Sequence, residues 1–107
     1  MSDTTPDIYH ADVKELAVFA ADGPKPHMLI DAPDLKAMLI GLEAGQHIPV
    51  HPEHAALYHF LEGEGLMTVG EESYRVASGV TVAAPEGAPR GMNARTRLVF
   101  LACKGGA

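Results

Sequence analysis

The sequence predicts a small all-β domain, an antiparallel sandwich or barrel, and three observations carry that prediction. The chain has 107 residues, enough for one domain and too few for two ordinary ones. Its apolar residues fall into short runs, with no long periodic stretch. Turn formers separate the runs, and the chain holds 11 Gly and 8 Pro. Many short strands with this punctuation are how an antiparallel sandwich or small barrel reads in sequence.

Near the start, Asp12 with Glu15 three residues on makes a capping pattern, and Val13, Leu16, Ala17 and Ala20 recur at helical spacing. This predicts a short N-terminal helix or arm. Asp22-Gly23-Pro24-Lys25-Pro26 then breaks anything regular. The strand candidates come next: His27 to Ile30, Leu35 to Glu43, Ala55 to Leu61, Gly65 to Val69, Tyr74 to Ala77, Val80 to Ala84 and Thr96 to Cys103. The breaks between them hold Gly45, Pro49, Pro52, Gly63, Gly79, Pro85, Gly87 and Pro89. Two runs, Ala37-Met38-Leu39-Ile40 and Leu98-Val99-Phe100-Leu101, do not alternate in polarity. Strands of that kind are covered on both faces. A domain this small has little material for such cover, so a homodimer is expected to supply it.

Composition narrows the partners. Eight Lys plus Arg against 14 Asp plus Glu give a formal charge of -6. Nucleic acid and anionic membrane both need a basic footprint, which this balance does not offer. One cysteine, Cys103, excludes an internal disulfide framework and the multi-cysteine zinc sites. The polar start, Met1 to Asp7, is not a secretory signal, and no apolar run approaches the ~18–20 residues of a membrane span. With a lone thiol, the expected location is the cytoplasm.

The glycines, prolines and histidines form one pattern. The middle of the chain reads Gly45-Gln46-His47-Ile48-Pro49-Val50-His51-Pro52-Glu53-His54, and a later stretch reads Gly79-Val80-Thr81-Val82-Ala83-Ala84-Pro85-Glu86-Gly87-Ala88-Pro89-Arg90. This resembles the two motifs of the cupin superfamily, G-x5-H-x-H-x3,4-E-x6-G and G-x5-P-x-G-x2-H-x3-N. Gly45 and His51 fit the start of the first, and Leu61-Glu62-Gly63-Glu64-Gly65 looks like its closing strand and turn. Gly79, Pro85 and Gly87 fit the second. The resemblance implies a single jelly-roll (cupin) barrel domain whose core covers roughly residues 28 to 104. Gly63 and Gly65 suit it, flanking a turn where positive φ is easy for glycine.

In metal-binding cupins the motifs supply two His, a Glu and a third His, a set suited to a divalent transition metal. Here His51 matches the first His, and Glu53, with His54 beside it, stands at the second. The Glu position falls on Ala56 or Tyr58, and Arg90 takes the place of the last His. A guanidinium has no lone pair to offer a cation. The four-ligand set is therefore broken. His51, Glu53 and His54 remain as a reduced metal set, provided Pro52 bends the chain so that neighbours converge. Arg90 reads either as an exposed loop arginine or as a fork gripping an anion at the pocket mouth, with His51 as a neighbouring donor. Alternation admits only one of Tyr58 and His59 to the interior, and the family register favours Tyr58.

The leading expectation is a protein that binds a small polar or anionic molecule between the His51 and Arg90 loops. Arg90, His51 and Tyr58 are its candidate ligand-binding residues, with metal absent or weakly held. One alternative is a metal-dependent enzyme, a dioxygenase or isomerase, using His51 with Glu53 or His54. Another is a structural or accessory dimeric barrel. A fold of this type hosts all three, so whether the protein is an enzyme stays open at this level.

Overall fold

The computed structural model describes residues 10–16 and 19–105. Within them, nine strands pair into two sheets, and every pairing is antiparallel. In chain order the strands are β1 (Lys25–Ala32), β2 (Leu35–Leu42), β3 (His47–His51), β4 (Ala56–Glu62) and β5 (Glu64–Val69). β6 (Glu72–Ala77), β7 (Thr81–Ala84), β8 (Arg90–Ala94) and β9 (Leu98–Gly105) complete the set. The first sheet runs β1-β2-β9-β4-β7 and the second β3-β8-β5-β6. The arrangement fits a jelly roll.

The strands form where alternation gives each an inner face. On β4, Ala56, Tyr58 and Phe60 are buried while Leu57 is exposed. On β9, Leu98, Phe100 and Ala102 join the same cluster. Met67, Met92, Val76 and Ala94 meet them from the second sheet. The Phe60 and Phe100 rings pack with centroids 5.2 Å apart. That pair is the aromatic centre of a mostly aliphatic core.

Three expectations need correction. Of the N-terminal helix, only one turn, Val13–Leu16, is helical. Ala20 already pairs back with Gly23 in an isolated bridge, and Ala17 and Val18 lie outside the described residues, as do 1–9. A helix this short gives too few hydrogen bonds to offset its nucleation. Second, β3 and β8 occupy stretches expected to be loops, so His51 and Arg90 sit on paired strands. Third, Gly63 has φ +86°, but Gly65 does not share that conformation. Gly65 is needed for another reason, since a Cβ there would press on the Asn93 carbonyl oxygen of the adjacent strand.

The two non-alternating runs are largely covered within the chain, with Met38 and Leu101 half-buried. Ala37, Leu39 and Val99 are 9%, 1% and 3% exposed and lie outside the inter-sheet cluster. Their burial requires no second subunit.

Candidate functional site

Four strands bring the candidate residues together: β3 carries His51, β4 Tyr58, β8 Arg90 and β9 Lys104. The placing of His51 depends on an irregularity. Ile48 pairs with Met92 and His51 with Arg90, so three steps on β3 match two on β8. The extra residue is a bulge, which reverses the facing of the residues beyond it. Without it Val50 would stand opposite Arg90; with it His51 does. Gly91 makes room for the bulge, because a Cβ there would press on Val50 and on the Ile48 carbonyl. Pro49 is tolerated because β3 is an edge strand and this stretch has left the regular ladder.

Arg90 is 2% exposed, so it is not a solvated loop arginine. Its Nε donates to the Ala88 carbonyl at 3.0 Å. One terminal nitrogen donates to the His54 carbonyl at 2.8 Å and to the Tyr58 hydroxyl at 3.3 Å. The other donates to the carbonyls of Glu53 at 3.1 Å and Pro85 at 2.9 Å. A guanidinium has five N–H groups, and each has an acceptor within the chain. Arg90 thus stitches the segment after β3 to the segment before β8, and no fork is left over for an anion. Its contribution to a site is to hold Tyr58 and the mouth in place.

Beside it lies a cavity of about 100 Å³, lined by Ile40, Ile48, His51, Tyr58, Arg90, Gly91, Met92, Phe100 and Lys104. The three residues expected to bind ligand therefore share one cavity. Tyr58 is 5% exposed and belongs to the inter-sheet cluster, whereas His59 turns outward and bonds Thr81 Oγ1 through Nδ1 at 2.7 Å. The Tyr58 hydroxyl accepts from Arg90, which leaves its own proton to donate. His51 Nδ1 lies 2.9 Å from the Pro49 carbonyl, so Nδ1 carries a proton and donates to it.

The mouth is charged. Lys104 Nζ donates to Glu53 Oε2 at 2.9 Å, and His51 Nε2 lies 3.8 Å from that same oxygen. Glu53 Oε1 accepts the His54 backbone N–H at 3.1 Å. These bonds, that from Lys104 foremost, hold the Glu53 carboxyl below its ordinary range. His54 turns away, with Nδ1 3.0 Å from Glu86 Oε2. Glu86 also accepts the Ala55 N–H, and that bond first, then His54, lowers its pKa.

With this geometry established, comparison with known proteins places the chain. The cupin domain family model matches residues 38–103, the stretch that holds nearly all of these strands. The chain is a cupin. Among solved structures it is similar to TT1209 from Thermus thermophilus, with TM-score 0.86 and 26% identity, covering 94% of this chain and 100% of that one. It is also similar to the conserved SPY1581 protein of unknown function from Streptococcus pyogenes, at TM-score 0.84 and 25% identity over 100% and 96% of the two chains. A salicylate 1,2-dioxygenase variant from Pseudoaminobacter salicylatoxidans aligns with TM-score 0.73 and 18% identity, over 81% of this cupin and 28% of that chain. That last likeness is one of fold. No curated protein matches the chain.

The residues of this cupin do not fit a divalent metal ion. Among the described residues no three His, Cys, Asp or Glu side chains group to hold one. His51 and Glu53 approach each other, but an ammonium already sits on the shared Glu53 oxygen, and His54 is engaged with Glu86. A transition metal needs more donors than the pair His51 and Glu53 supplies. Lys104 was not among the residues the sequence singled out. The signal was present, because Phe100, Ala102 and Lys104 alternate along β9 and share its inner face. No helix among the described residues is long and apolar enough to cross a membrane.

Proposed function

We propose that this cupin binds a small organic acid, with its carboxylate at the Lys104 and His51 end of the cavity and its carbon end against Phe100, Ile40 and Met92. The supporting observation is the lining of a single cavity, apolar at its walls and polar at Tyr58, His51 and Lys104. The ammonium supplies the positive charge that Arg90 was expected to supply. Size narrows the ligand further. At about 30 Å³ per water-sized group, 100 Å³ holds about three such groups, and the open mouth leaves room for one or two more. Acetate and propionate are therefore the fitting probes, or an equally small acidic end of a larger molecule. Nothing in this reading requires a metal.

Calorimetric titration with those acids tests it. Binding of propionate in the micromolar to millimolar range is expected, as five or so heavy atoms permit. Tyr58→Phe removes one hydrogen bond and should weaken it by roughly fivefold, while Lys104→Met should abolish it. Absence of binding by every acid of this size in the unmodified protein sinks the proposal.

A further inference from the structure

Lys104 faces two spaces. Besides the inner cavity it lines an outer groove of about 560 Å³, together with Asp31, Lys36, Met38, Glu53 and His54. Glu53 borders the groove and holds the ammonium from that side. The Lys104–Glu53 pair therefore stands where groove and cavity meet. Both side chains are 23% exposed, so the pair is within reach of solvent and carries no deep desolvation cost.

We propose that Glu53 is an internal stand-in for the ligand's carboxylate, and that an acid arriving through the groove exchanges with it on Lys104. The pair is then both the door to the cavity and its selector for carboxylates. The inference rests on the carboxylate reading above and adds a competitor to it.

Three observations support the exchange. An ammonium has three N–H groups, and Glu53 takes one of those of Lys104. An incoming carboxylate thus has donors to engage before Glu53 lets go. Glu53 is not stranded when it does, because the His54 N–H keeps one oxygen and the half-buried carboxylate turns the released one to solvent. A partly exposed Lys–Glu pair is also weak enough to be exchanged by a free acid. A neutral ligand of the same shape gains nothing on Lys104 that would dislodge Glu53. It is rejected by charge, with no steric bar.

The test compares propionate with propionamide on the unmodified protein, Glu53→Gln and Lys104→Met, by calorimetry. Glu53→Gln keeps an oxygen for the His54 N–H and removes only the negative charge facing Lys104, so the fold is retained. Propionate should bind Glu53→Gln up to about fivefold more tightly than the unmodified protein, the scale set by a partly exposed ion pair. Propionamide should gain less than propionate between these two, and Lys104→Met should lose the preference for the acid. Propionate binding that is equal or weaker in Glu53→Gln, with binding intact in the unmodified protein, overturns the exchange and leaves the carboxylate reading standing. Failure of both proteins to bind any acid overturns the two together.

Discussion

Arg90 shows how a side chain can hold a ligand's expected place and serve the frame instead. Its motif position was legible in sequence, and so was its unsuitability for a cation. Its burial was not, because its acceptors are carbonyls at positions 53, 54, 85 and 88, which only the folded chain brings together. Replacing it with Met should leave those four carbonyls without their donor and cost at least about 3 kcal/mol, since hydrogen bonds to charged groups contribute more than neutral ones. Urea unfolding checks this. Arg90→Lys should rescue only part of the loss, because a point ammonium cannot reproduce a planar fork. His51 and Tyr58 were legible for the opposite reason, as spacing within a motif and alternation along a strand suffice to place them. Lys104 escaped because it lies beyond the second motif, and its alternation with Phe100 and Ala102 along β9 marks a face of the strand but no binding role.

At the level of elements, seven strand runs were visible as apolar stretches, with ends displaced by a few residues. β3 and β8 were not. His47-Ile48-Pro49-Val50-His51 and Arg90-Gly91-Met92-Asn93-Ala94 contain the residues that usually end strands, and their inner faces are visible only after the bulge is counted. The bend between β4 and β5 is more demanding. Gly63 has φ +86°, and an added Cβ would run into the Arg97 carbonyl. Gly70, at φ +64° in the β5–β6 turn, has open space around it. Gly63→Ala should therefore cost several kcal/mol or prevent folding, whereas Gly70→Ala should cost about 1–2 kcal/mol from its backbone conformation alone. Paired thermal melts separate the two. Close by, Arg97 grips Glu43 through two bonds of 2.8 and 3.0 Å, and the Phe19 ring lies 4.5 Å from its guanidinium carbon.

The molecule as a whole carries an excess of carboxylates, and three of those among the described residues couple the fold to acid. Glu43, Glu53 and Glu86 all have pKa values lowered in the fold, chiefly by Arg97, by Lys104 and by the Ala55 N–H respectively. A carboxyl more acidic folded than unfolded adds stability above its unfolded pKa, near 4.3, and loses it as the pH falls through the lower folded value. The melting temperature should thus stay level from pH 7 to about 5 and fall below about 4. Glu53→Gln should make that fall shallower, and 0.5 M salt should blunt the contribution of the exposed Glu43 and Glu86. Melts across pH at two ionic strengths read this directly. The bulge in β3 has a consequence for descent as well. Three steps along β3 there do the work of two, so the stretch between Ile48 and His51 tolerates a change of length. Loss of the codon for Pro49 or Val50 would remove the bulge and leave His51 two steps from Ile48, still opposite Arg90. Lineages related to this chain can therefore differ by one residue before this histidine and keep the same mouth, a change of spacing that comparison of substitutions alone would overlook.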